Sequence, residues 1–178
     1  VVSNGVFGER FASMAQAFGL QVDRLDFPYG EGPDATTVED RLKQSPGTKA
    51  VLVTHNETST GVTNDVAPIA ALARQHGAIT IVDSISGLAA IDLKTDAWGL
   101  DVVVAGSQKA FMLPPGLSFV SVSKRAWEMH RSARLPRFYW DFSKMKDSLE
   151  KGQSPFTPNV SFFNGLRASV RRILDEGL

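Results

Sequence analysis

The chain of 178 residues contains no cysteine. Disulfides, thiolate nucleophiles and cysteine-ligated metal centres are therefore excluded from this segment, and a reducing compartment is compatible with it. Histidine is nearly as scarce. His55, His76 and His130 are too scattered to form an H-x-x-x-H ligand pair. Neither sign of charge dominates: 19 basic and 19 acidic residues cancel, which leaves no electrostatic footprint for nucleic acid or an anionic bilayer. No apolar run reaches the ~18 residues of a transmembrane helix. The opening VVSNGVFGER lacks the basic-then-apolar order of a signal peptide. The expectation is a cytoplasmic protein with no nucleic-acid or membrane partner. Three motifs are also missing: G-x-x-x-x-G-K-[ST], G-x-G-x-x-G and G-x-S-x-G. Their absence weakens a nucleotide-binding module and, further still, a Ser-His-Asp hydrolase.

What is present alternates between β-rich runs and helical stretches. Gln21–Phe27 alternates apolar and polar residues, as a half-buried strand does. Ala50–Thr54, Ala78–Val82 and Asp101–Ala105 are continuous β-branched runs, as strands buried on both faces are. Leu117–Ser123 alternates again. Helices are expected over Phe7–Phe18, Thr37–Gln44, Asp65–His76, Lys124–Arg134 and Asn159–Glu176. In the second, Thr37 reads as the N-cap, with Asp40 three residues on. The third places Val66, Ile69, Ala70 and Ala73 on one face and stops at Gly77. Arg131–Ser161 reads as an irregular, aromatic excursion suited to packing on a partner chain. The pattern predicts an α/β fold: a mostly parallel, doubly wound sheet with helices on both faces. Such a sheet collects its strand C-terminal ends along one edge, where ligands bind.

Three strands run into polar clusters. AVLVT leads to HNETSTG (His55–Gly61), AITIV to DSISG (Asp83–Gly87), and DVVVA to GSQK (Gly106–Lys109). Each cluster alone has a plain reading: Asp83 as a turn or cap residue, Lys109 as a solvated ammonium, the hydroxyls as turn chemistry. Brought to one edge, they match a single cofactor. A lysine amine condenses with a carbonyl, a carboxylate keeps a pyridine nitrogen protonated, and hydroxyl-rich turns bind phosphate. Pyridoxal 5′-phosphate requires all three.

The segments THNETSTGV, IVDSISG and AGSQKAFMLPPGLSFVSVS resemble the class V aminotransferases of fold type I, nearest to the alanine–glyoxylate, serine–glyoxylate and serine–pyruvate group. The resemblance runs from SNGVFGER to the final helix. It implies pyridoxal-phosphate-dependent transamination between a small amino acid (alanine or serine) and an oxo acid such as glyoxylate or pyruvate. It implies that Lys109 is the Schiff-base lysine and Asp83 the partner of the ring nitrogen. Gln108 matches a position near the phosphate, Thr58 a hydroxyl beside the ring, Ile85 the apolar residue under the ring, and Phe7 the aromatic stacked on it. Thr157 matches a residue that reaches the partner subunit's phosphate in a homodimer; Ser154 stands where some relatives have Tyr. Phe7 as plain core and Thr157 as cap of the last helix are the alternatives. His55 reads as a hydrogen-bonding turn histidine, and Glu57 as a carboxylate that bonds backbone amides of its turn.

No arginine falls on a motif for the substrate carboxylate; Arg10 and Arg137 read as surface or interface residues. Residues 1–178 are accordingly expected to form an incomplete large domain, without the N-terminal segment and C-terminal small domain of the relatives. Two other outcomes stay open: another reaction of the same family, of lyase or desulfurase type, and a truncated chain that keeps the fold without turnover.

Overall fold

A computed structural model describes residues 1–177; Leu178, the last residue of the expected domain, lies outside the described residues. The order is β1 (Val2–Ser3), α1 (Val6–Ala17), β2 (Leu25–Asp26), α2 (Ala35–Gln44), β3 (Ala50–Thr54), β4 (Asn56–Glu57) and β5 (Val62–Thr63). There follow α3 (Val66–Gln75), β6 (Ile79–Asp83), β7 (Val102–Gly106), β8 (Ser118–Val122), α4 (Lys124–His130), α5 (Phe142–Leu149) and α6 (Val160–Glu176).

The main sheet has the order β3-β6-β7-β8. Its first three strands are the β-branched runs, and they are parallel. Val51, Val53, Val82 and Val103 are buried within them. Helix α3 closes over β3 and β6 with the expected stripe of Val66, Ile69, Ala70 and Ala73, all buried. Full burial of one such valine or isoleucine is worth about 1.5–3 kcal/mol, so this seam is a principal source of stability. Asp65 caps α3 by accepting the Ala67 N–H, and Gly77, just past its end, holds the left-handed φ of 77°. The α/β, mostly parallel architecture is as expected.

The differences are local and have physical causes. β8 is antiparallel to β7, because the short turn through Pro114–Gly116 leaves no room for a crossover helix. The strand expected over Gln21–Phe27 shrinks to Leu25–Asp26, since its partner β1 offers only Val2 and Ser3 for pairing. The cap of α2 is Asp34, not Thr37: the Asp34 carboxylate accepts the Thr37 N–H at 2.8 Å. Within Arg131–Ser161 the chain forms α5, capped by Asp141, which accepts the Ser143 N–H at 3.0 Å. Helix α4 ends at His130, short of Arg134. Helix α6 is preceded by Asn159, so Thr157 is not its cap.

The edge of the sheet away from the polar clusters is tied by one buried carboxylate. Asp101 is 1% exposed, and it accepts the Thr80 N–H at 3.0 Å, the Ser123 hydroxyl at 2.8 Å and Arg125 Nη1 at 3.2 Å. Arg125 also donates to the Ala78 carbonyl at 2.8 Å. No helix among the described residues is long and apolar enough to cross a membrane.

Candidate functional site

Parallel pairing puts the C-terminal ends of β3, β6 and β7 side by side. Thr54 is the register partner of Asp83, and Asp83 that of Val104, two residues before β7 ends at Gly106. Beyond these ends the polar clusters close a small pocket. Five of the expected residues line it: Phe7, Thr58, Asp83, Ile85 and Lys109. Thr54, Asn56 and Ser86 complete the wall.

Lys109 stands on a short turn that the sheet holds from below. Ser107 is fully buried; its hydroxyl donates to the Pro114 carbonyl at 2.7 Å and accepts the Leu117 N–H at 3.1 Å. The Met112 N–H closes the turn onto the Lys109 carbonyl at 2.9 Å. Met112 itself takes a left-handed φ of 56°, which a non-glycine residue adopts at some cost. The Lys109 side chain is exposed and forms no salt bridge among the described residues.

Asp83 accepts the Ile85 N–H at 2.9 Å. Burial pushes its carboxyl above the ordinary carboxylate value, and the charge on Glu57 adds to the rise. This carboxylate has no salt-bridge partner among the described residues and favours a guest that brings a proton or positive charge. Thr58 donates to Ser86 Oγ at 2.9 Å, and Asn56 Nδ2 donates to the same oxygen at 3.0 Å. The Thr54 hydroxyl is buried and has no partner among the described residues. It is a polar group in the pocket wall with its hydrogen bond unmade, a costly state unless a ligand or water completes it. His55 is buried behind the pocket, with Nδ1 3.1 Å from Ser84 Oγ; burial lowers its pKa, so the ring is neutral. That is the hydrogen-bonding role the sequence suggested.

Glu57 does more than bond its own turn. Its side chain is fully buried and accepts the N–H groups of Phe7 at 3.1 Å and Gly8 at 3.0 Å, at the start of α1. It also accepts the Ser59 N–H at 3.2 Å and the Ser59 hydroxyl at 2.5 Å. Ser59 Oγ in turn accepts the Val6 N–H at 3.0 Å. Gly5 precedes α1 and has no side chain to cap it. The turn after β4 therefore supplies the cap, and a negative charge at a helix N-terminus is favourable.

Two expected residues lie outside the pocket. Gln108 is exposed and folds back over Gly106, where an added Cβ would meet its Oε1 at 2.7 Å. Thr157 is exposed on the segment before α6. Arg10 lies over the Phe7 ring at 5.1 Å, and Arg137 bonds Asp141 and nearby carbonyls, so neither faces the pocket. The reading of the sequence missed Thr54, Asn56 and Ser86. A hydroxyl ending a buried apolar strand was the signal for Thr54, and the polar run after each strand was the signal for the others.

The model of the family described as aminotransferase class-V matches residues 10–176. The chain is 44% identical over 179 residues to the L-aspartate–glyoxylate aminotransferase of Paracoccus denitrificans, covering 98% of this chain and 45% of that protein. It is 45% identical over 179 residues to the "soluble hydrogenase, small subunit" of Synechococcus sp., covering 98% of this chain and 46% of that one. Among solved structures, the alanine–glyoxylate aminotransferase of Nostoc sp. superposes with a TM-score of 0.93 at 28% identity, over 100% of this chain and 48% of that one. The chain thus spans about half the length of the curated relatives it matches.

Proposed function

The chain belongs to the class V aminotransferase family, and from that premise we propose that it carries the cofactor-binding part of a pyridoxal-phosphate-dependent aminotransferase. The reaction moves an amino group between a small amino acid and an oxo acid. The names of the Paracoccus and Nostoc relatives support glyoxylate as acceptor; they also place aspartate beside alanine and serine as donors to test. In this reading residues 1–178 are the central part of the large domain.

One observation carries the proposal. A single pocket holds an unpaired lysine, a half-buried carboxylate, a hydroxyl cluster and two apolar side chains, Phe7 and Ile85. That donor set fits the cofactor, and the Thr54 hydroxyl, without a partner among the described residues, supports a polar guest at this wall. Lys109 would anchor the group, Asp83 would hold a proton on its ring nitrogen, and Thr58 would lie beside it. When bound, pyridoxal phosphate supplies an electron sink for the pair left by the departing α-proton. With its amine free, Lys109 would be the group that takes the α-proton and returns it to the cofactor carbon, since it is the lysine of this pocket. Asp83 would keep its proton partner charged, and Phe7 and Ile85 would lie against the group as the apolar part of the wall.

A homodimer and a cytoplasmic location belong to the same proposal. Phe138 and Trp140 are 71% and 79% exposed, as contacts awaiting a second copy are, and Thr157 lies on the same stretch of chain. Sedimentation of the full-length protein at monomer mass would remove the dimer and the role of Thr157.

The decisive experiment adds pyridoxal phosphate to the full-length protein and records its visible absorbance. A new band is expected, absent from Lys109→Ala, and shifted by alanine, serine or aspartate with release of the matching oxo acid. No band in the wild type sinks the cofactor reading. Release of ammonia or sulfur in place of an oxo acid sinks transamination in favour of lyase or desulfurase chemistry.

A further inference from the structure

Phe7 and Thr58 line the same pocket but come from distant parts of the chain. Phe7 lies in the first turn of α1, whose N-cap Gly5 has no side chain with which to hold the helix start. Thr58 is exposed in the turn between β4 and β5. Between them stands Glu57, with four converging donors: the N–H groups of Phe7, Gly8 and Ser59 and the Ser59 hydroxyl. The carboxylate cannot swing away from them. It is 0% exposed, and the helix start lies directly on it, since a Cβ on Gly5 would come within 2.5 Å of Glu57 Cδ.

We propose that Glu57 is a positioning residue whose carboxylate clamps the start of α1 to the 57–61 turn and so sets the separation of Phe7 and Thr58 across the pocket. The inference rests on the cofactor reading of that pocket for its functional half only. The clamp requires a group that only accepts. An ionised carboxylate offers two oxygens and about four acceptor positions, which the four donors match. A glutamine of the same shape offers one oxygen, and its NH₂ would face N–H groups that also donate. An aspartate, one methylene shorter, withdraws the carboxylate from α1.

The test uses the full-length protein with Glu57→Gln. In cofactor-free protein, hydrogen exchange at the Phe7 and Gly8 amides is expected to speed up at least tenfold, while amides of β3 and β6 keep their rates. Pyridoxal phosphate affinity, read from its absorbance, is expected to fall about tenfold or more. Unchanged exchange at Phe7 and Gly8 overturns the clamp. Faster exchange with wild-type cofactor affinity overturns its control of the pocket. Should Glu57→Gln not fold, Ser59→Ala removes one donor to Glu57 and the acceptor for Val6 at an exposed position. It is expected to speed the Val6 and Phe7 amides about threefold, and no change there overturns the clamp as well. Wild-type protein that takes up no pyridoxal phosphate defeats the cofactor reading, while the exchange result still decides the clamp.

Discussion

The Glu57 carboxylate accepts the backbone N–H of Phe7 at 3.1 Å, although 50 residues of chain separate the two. This contact joins the first helix to the end of β4 and brings an aromatic ring to the pocket that holds Lys109 and Asp83. The helix start is thus capped by a remote segment, and the geometry of the site depends on a bond between elements distant in sequence.

Close approach at Gly5 follows from this cap. A side chain there would meet Glu57 Cδ at 2.5 Å and Ser59 Oγ at 2.6 Å. Gly5→Ala is expected to destabilise the protein by about 1–3 kcal/mol, the usual range for overpacking. Urea denaturation checks this, and an unchanged midpoint would show that Glu57 can yield.

Asp83 stands against stability at neutral pH. Burial raises its folded pKa above the ordinary 3.8. Below pH 3.8 both states are protonated and no penalty exists. As pH rises past that value the unfolded chain ionises first, and stability is lost until the pH exceeds the folded value. Cofactor-free Asp83→Asn should therefore melt above the wild type at pH 7, and the two should converge near the acid end. The same substitution should cut turnover of the loaded enzyme about 10²–10³-fold, as loss of an electrostatic stabiliser does. A lower melting temperature at pH 7 would contradict the assignment.

His55 acts in the opposite sense. Its buried ring has a pKa below the ordinary 6.5. As pH falls through 6.5 the unfolded state gains a proton that the folded state refuses, so stability declines down to the folded pKa. His55→Asn should flatten the fall in urea midpoint between pH 7 and pH 5. A wild-type slope in the variant would mean that another group is responsible.

On the far edge of the sheet, Asp101 holds the Thr80 N–H, Ser123 and Arg125 together. Asp101→Ala leaves the buried Thr80 N–H without its acceptor and removes one of the two acceptors of the Arg125 guanidinium. A loss of about 3–5 kcal/mol is expected, measured by denaturant unfolding. Cofactor uptake by protein that remains folded should be little changed, because this network lies away from the pocket.

Periodicity and local chemistry made much of the molecule legible. The β-branched runs of Ala50–Thr54, Ala78–Val82 and Asp101–Ala105 announced buried parallel strands, and those runs lie in the sheet with shifts of at most one residue. Their polar sequels named Asp83, Thr58 and Lys109, because strands of one direction deliver their ends to one edge. These features follow from nearest neighbours along the chain: which residues alternate, which end a strand, which stop a helix. Other features depend on contacts that no local pattern encodes. The direction of β8, the two-residue length of β2, the partial burial of Asp83 and the unpaired hydroxyl of Thr54 each depend on what lies across the sheet. So does Glu57, which in sequence is one acid in a polar turn. Its place as the cap of α1 exists because folding brings unsatisfied N–H groups to a buried carboxylate, and both are costly to leave unpaired.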